Sequence, residues 1–382
     1  MDECIRAGSI FIACISSICI LCISCRNQTP AAKSSTTVID SIKIETGRVA
    51  SSGDTILLHS YYLSTDYPCD GENLVMGYNY REHCLDVFTD SHVVEKIQLE
   101  QHGRDAIPGR LKALNATSKD SIWIFDGIAI CLINSEGKVI YKHKDNDFIF
   151  LDSNYAMHTS TIGWYGNDIL MYPVDINGKF IIRCVSASAK SIVKEFMLDY
   201  PKCNSMGRNS YADMKCPNVS YANNQIIYNY PYDSSIMTID INTEEKKEYR
   251  VGSKYAADSL EPFKGTNDIE QWQEYDWGHP HYYEVCYIPH LDVYVRAMVG
   301  GVSFQEHNDR SSIVDARVLY LSFIDKDFKL VSEYQLPAKR YNNFHGLCVR
   351  SNGIVIFVDN MLSEIHQEEL VYDMVTPVCK IQ

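Results

Sequence analysis

The sequence predicts an all-β fold: a six-bladed β-propeller with four antiparallel strands per blade and an N-terminal strand closing the last blade. Three observations predict it. Six segments repeat one scheme, a short apolar strand, a gap, a second apolar strand, a tight polar turn and an amphipathic strand. Apolarity falls along each unit, from strands apolar on both faces to strands that alternate, as radially stacked sheets with a buried centre and a wetted rim require. The last unit ends early, and the N-terminal region holds an alternating strand that completes it.

In chain order, Ala7 to Ile23 comes first, seventeen residues without a charge. That is short for a membrane span and suits the apolar region of a secretory signal. Ile23-Ser24-Cys25 then places small Ser24 directly before a cysteine and resembles a relaxed bacterial lipobox, a resemblance that implies a lipoprotein signal peptide over 1–24 and Cys25 as the lipidated residue. One departure is the acidic pair Asp2 and Glu3 where a basic region is expected. Residues 25–36 are rich in Ser, Thr, Ala, Gln and Pro, the composition of a flexible tether. The propeller is expected over 37–382.

Within it, Thr37 to Ile44 alternates and reads as the closing outer strand. Aligned on Leu74, Ile122, Ile169, Ile226, Val293 and Ile354, the repeats stand 48, 47, 57, 67 and 61 residues apart. Units of about 50 residues suit propeller blades better than solenoid turns. Partner strands such as CLDVFTD, FIIRCVS and VLYLSFI follow, then outer strands such as VVEKIQL and KLVSEYQL. Asn177-Gly178 is a two-residue hairpin signal. Asn134 to Gly137 and Asp325 to Asp327 mark equivalent turns between third and fourth strands.

The lipobox, the short tether and six irregular blades resemble the six-bladed propeller lipoproteins of unknown function found in gut Bacteroidetes. The blade junction QHGRDAIPGRLKAL, Gln101 to Leu114, is similar to the Gly- and Pro-containing turn of that group. The resemblance implies an outer-membrane lipoprotein rather than a chemistry. Arg26, Asn27 and Gln28 replace an acidic run after Cys25, which favours a periplasm-facing anchor over surface display.

A net charge of −14 makes nucleic acid an unexpected partner. GxSxG, HExxH, P-loop and GxGxxG patterns do not occur, so serine hydrolase, zincin, nucleotide and dinucleotide readings lack support. No cofactor or metal is expected. The conspicuous segment is EQWQEYDWGHPHYYEVCY, Glu270 to Tyr287, which reads as an insertion before the fifth blade. Its Trp272, Tyr275, Trp277, His279, His281 and Tyr282 form a candidate ligand-binding platform, since rings with polar tips suit amphipathic ligands. Packing against blade tops is the structural alternative. Cys203 and Cys216 bracket a polar loop and are the candidate disulfide; Cys131, Cys184 and Cys348 fall in apolar strands as buried thiols. These features point to a lipid-anchored envelope module binding a glycan or a partner protein. The alternatives are a propeller lyase or hydrolase working at the central channel, and a structural subunit of an envelope complex.

Overall fold

Alternating and doubly apolar runs become strands, and turn residues punctuate them into six four-stranded antiparallel sheets. The computed structural model describes residues 37–50, 58, 60–69, 72–145, 161–202, 211, 214, 216–265, 268–303, 311–342, 346–360 and 369–381. The expected signal peptide and tether at 1–36, with Cys25, lie outside the described residues, as does Cys203. Among the described residues no helix is long and apolar enough to cross a membrane.

Blade 1 comprises β2 (Ser64–Cys69), β3 (Glu72–Asn79), β4 (Cys84–Phe88) and β5 (Val93–Gln98). Blade 2 follows with β6 (Ala113–Ser118), β7 (Ser121–Phe125), β8 (Ile130–Ile133) and β9 (Val139–His143). Blade 3 has β10 (Gly163–Tyr165), β11 (Ile169–Ile176), β12 (Lys179–Ser186) and β13 (Ser191–Met197). Blade 4 has β14 (Asn218–Ala222), β15 (Gln225–Asn229), β16 (Ser235–Asp240) and β17 (Lys246–Arg250). Blade 5 is β18 (His281–Ile288), β19 (Val293–Val299), β20 (Leu319–Ile324) and β21 (Leu330–Gln335). Blade 6 joins the two ends of the ring: β22 (Leu347–Arg350), β23 (Gly353–Phe357) and β24 (Leu370–Ile381), with β1 (Thr37–Val49) as the outer strand beside β24. The closing strand is longer than the alternation of Thr37 to Ile44 alone indicates.

The leading apolar strand of each repeat is second in its blade, not first. An inner strand precedes it that the repeat scheme lacks, for example Ala113–Ser118 or Gly163–Tyr165. These strands are short and mixed in polarity because they face the propeller axis, where Asp66, Asn115 and Ser220 line an open channel. Second and third strands are almost wholly buried; outer β5 exposes half of its residues and outer β13 most. Ring contacts knit neighbouring blades: Trp123 of blade 2 stacks on Trp164 of blade 3 at 5.0 Å, and Phe328 of blade 5 lies on Tyr249 of blade 4 at 4.6 Å. Each large buried side chain contributes about 1.5–3 kcal/mol.

Turn chemistry follows the sequence. Asn177 and Gly178 take φ of 53° and 83°, the two-residue hairpin geometry. Asn134 and Asp325 play one role in different blades, each side-chain oxygen accepting two backbone N–H groups of its turn. Antiparallel connectivity puts the Asn134 and Asp325 turns on one face of the ring. Connections between blades, and between second and third strands, lie on the other face.

Polar ties fasten the loop-face connections to the blades. Tyr61, entering blade 1, donates its phenol to buried Asp86 of β4 at 2.7 Å. Tyr341, entering blade 6, does the same to buried Asp373 of β24 at 2.6 Å. In blade 3 the signs reverse: Asp145 of the connection pairs with Arg183 of β12 at 2.7 Å. One design, a connection held by the third strand, is built with different residues.

Candidate functional site

The aromatic segment before blade 5 divides into a helix and a strand. Asp268 caps the helix α1 (Ile269–Gly278) by accepting the Glu270 N–H. His281–Ile288 is not inserted; it is β18, the inner strand of blade 5. Its aromatic density hides an ordinary core strand, five of its first six residues being aromatic, acidic or Cys and all six buried.

Each residue of the expected platform has an internal partner or a packed position. Tyr275 donates its phenol to the Glu261 carbonyl at 2.7 Å and lies against Phe263 and His279. The His279 Nδ1 faces the Tyr275 carbonyl at 2.6 Å. His281 is fully buried, with Nε2 on the Asp276 carbonyl. Burial, reinforced by nearby Arg317, holds its pKa well below the ordinary value, so the ring is neutral. Tyr282 is buried under the guanidinium of Arg296, 4.1 Å from its ring centroid, and Arg296 donates onward to the Ser234 carbonyl. Trp272 and Trp277 are half-buried on α1. The six residues are thus neighbours in sequence that do not share one open surface.

A different set converges on the loop face. Leu58, Ser60 and Tyr62 enter blade 1, Tyr80 and Arg81 join β3 to β4, and Arg110 leads into β6. With Asn342 and Asp359 of the blade 6 loops, they line a cavity of about 500 Å³. At its side the Arg110 guanidinium caps the angle between two rings that stand 6.2 Å apart, its Cζ 4.6 Å from the Tyr62 centroid and 4.5 Å from that of Tyr80. The Arg110 Nε donates to the Tyr62 phenol at 3.1 Å, and that phenol donates to the Leu111 carbonyl at 2.6 Å. Burial pushes the Tyr62 pKa up and Arg110 draws it partly back, so Tyr62 stays a neutral donor. Gly109 makes this placement possible: a Cβ there would stand 1.9 Å from the Asp126 carbonyl oxygen, so only glycine lets the junction run so close to blade 2. Sequence patterns gave little sign of this site, since its residues come from five separate loops. The Gly- and Pro-containing junction around Gly109 and Arg110 was the available signal.

The axis opens on the turn face as a cavity of about 310 Å³, lined by residues of five inner strands, including Asp66, Asn115, Ser220 and Arg350. Asp66 of β2 faces Arg350 of β22, with Nε 3.5 Å from Oδ1, and Arg350 also donates to Asp90 at 3.2 Å. Burial raises the Asp66 pKa, while Arg350 and the Ser351 N–H act against it. The group closes the seam between blades 6 and 1.

Glu82, Cys84 and Asp86 bring possible metal-ligand atoms within 4.8 Å of one another. Lys96 already bridges the two carboxylates, 3.6 Å from Asp86 and in contact with Glu82. Tyr61 and Asn79 further occupy Asp86. The Cys84 thiol, pushed up to about 12 by burial and by Asp86, stays protonated. The trio is an internal clasp, not a ligand set ready for a cation.

No family model matches the chain, and no curated protein matches it. Solved structures do. A member of the DUF4221 family from Bacteroides vulgatus is similar at a TM-score of 0.69 and 14% identity, over 91% of this chain and 99% of that one. An exported-protein candidate from Bacteroides fragilis is similar at a TM-score of 0.54 and 12% identity, over 88% and 95%. At such identities the likeness shows the six-bladed fold, shared along nearly the whole chain.

Proposed function

We propose that this protein is a non-enzymatic binding module that holds a glycan at the loop-face cavity. The observation carrying this reading is the cluster of the Tyr62 and Tyr80 rings around the Arg110 guanidinium at the wall of a 500 Å³ concavity. Rings with adjacent hydroxyl, amide and guanidinium donors match a sugar's apolar face and hydroxyl rim. Asp359 is the one carboxylate among the described lining residues, whereas glycoside hydrolysis uses a pair. Thermal shift of the full chain against a panel of neutral and acidic oligosaccharides tests the proposal. A ligand that binds the native state at a hundred times its Kd adds about 2.7 kcal/mol. Tyr80→Ala should abolish the shift; if Trp272→Ala with Trp277→Ala abolishes it instead, the α1 surface is the site.

We further propose that the module is an outer-membrane lipoprotein anchored through Cys25, facing the periplasm on the tether of residues 26–36. The apolar run from Ala7 to Ile23 and Ser24 before Cys25 support this. Cys25→Ala should release the protein from the membrane fraction, and unchanged fractionation would refute the anchor.

A further inference from the structure

The charge of the loop-face cavity runs against that of the protein. The chain has 49 acidic and 35 basic residues, and seven of the ten described arginines are paired with carboxylates or buried on backbone carbonyls. Arg48, Arg183, Arg250, Arg340 and Arg350 each pair with carboxylates. Arg296 and Arg317 are buried on backbone carbonyls. Arg81 and Arg110, by contrast, are exposed, line one cavity, and meet no carboxylate at ion-pair distance among the described residues. Among the described lining residues the single carboxylate, Asp359, leaves the two guanidiniums in excess.

Arg110 is also oriented. Two rings lie against it at an angle to each other and Tyr62 takes its Nε–H, which leaves its Nη groups to bond. That edge is a planar fork that matches the two oxygens of a carboxylate or sulfate. The ring contacts and the bond to Tyr62 restrain the fork before any ligand arrives, which lowers the ordering cost of binding. Tyr80, 42% exposed, keeps ring surface open beside it.

We infer that the cavity takes an acidic saccharide, a sugar bearing a carboxylate or sulfate. Arg110 grips the anion through its fork, Arg81 adds a second positive charge, and Tyr80 carries the sugar's apolar face. This rests on the binding-module reading and narrows it to a ligand class. The test is calorimetric titration of the full chain with oligogalacturonate, its methyl-esterified neutral form, sulfated oligosaccharide and polyglutamate, at low and high salt. The acidic sugars should bind at least about tenfold tighter than the neutral ester, and more weakly as salt rises. Arg110→Lys, which keeps the charge but loses the fork, should lose about tenfold with an unchanged melting temperature. Equal affinity for the acidic and esterified sugars would overturn this inference and leave the binding module standing. Polyglutamate binding as tightly as oligogalacturonate would overturn the saccharide assignment. Failure of every saccharide to bind would overturn both readings.

Discussion

Asp373 is the group whose replacement should cost the ring most. It is fully buried on β24 and accepts from Thr46 of β1 at 2.7 Å, Tyr341 at 2.6 Å, and Arg340 at 2.5 and 2.8 Å. One carboxylate therefore ties the closing strand, the last blade and the connection entering it. Asp373→Asn keeps the shape, removes the charge, and turns an N–H₂ toward donors. Hydrogen bonds to a charged group are worth about 1.5–3 kcal/mol each, and breaking a buried ion pair costs about 3–5 kcal/mol. These terms overlap, and Arg340 with 22% of its side chain exposed can partly rehydrate. The expected loss is about 3 kcal/mol. Over a ring of roughly 350 residues that lowers Tm by only about 4 °C, so the denaturant midpoint at constant m-value is the better assay. Arg48→Ala, which breaks the exposed Arg48–Glu369 pair, should cost under about 1 kcal/mol and serves as control. pH adds a second check. Burial alone would raise the Asp373 pKa, but its bonds from Arg340, Tyr341 and Thr46 outweigh that and lower it. With the folded value below the unfolded one near 3.9, the stabilisation is full above about pH 5 and is lost as pH falls through the lower folded value. The gap between native protein and variant should hold from pH 7 to about pH 5 and close only in stronger acid. A loss below about 1 kcal/mol, or a gap that closes near pH 6, would refute the clasp.

Three other outcomes follow from packing and burial. Gly109→Ala puts a methyl group against the Asp126 carbonyl, so it should destabilise by about 1–3 kcal/mol and weaken saccharide binding by displacing Arg110; unaltered binding would count against that role for the junction. Burial raises the thiols of Cys131 to about 11 and of Cys184 to about 12. Alkylation at pH 8 followed by peptide mass mapping should find both at least about a hundredfold slower in the native state than unfolded, and comparable rates would contradict their placement. Buried His281 has a lowered folded pKa, so below about pH 6.5 the unfolded state binds the extra proton and stability rises with pH between about 5 and 6.5. His281→Asn should flatten that slope, and an unchanged slope would assign it to other groups.

The blades were legible because they obey short-range rules. Ser121–Phe125 announces itself by burial on both faces, Lys246–Arg250 by its wet rim, and Asn177-Gly178 by backbone freedom. Closure was legible because β24 lacked a neighbour and Thr37 to Ile44 alternated. Inner strands were not, since a strand facing a polar channel on one side and a packed blade on the other follows neither template; β10 is only three residues long. β18 was hidden differently: His281, Tyr282 and Tyr283 look like site residues, and only the ring's geometry makes that position the inside of a blade. The cavity was least legible of all. Tyr62, Tyr80 and Arg110 sit in three connections, and nothing in local pattern says that three loops will meet around one guanidinium.

The shared sixth blade also bears on how the chain is made. Thr46 and Asp373, hydrogen-bonded in the finished ring, are 327 residues apart, a span whose closure costs about 5 kcal/mol of chain entropy before any contact repays it. During synthesis the first five blades can hydrogen-bond internally as they emerge, while β1 waits for a partner that is among the last segments made. Until β24 arrives, β1 is a thirteen-residue strand with an unmet edge, open to pairing with another copy. A chain cut short before residue 370 keeps that edge permanently. The sixth blade therefore acts as a length check, distinguishing finished from truncated molecules by whether a sticky strand has been covered.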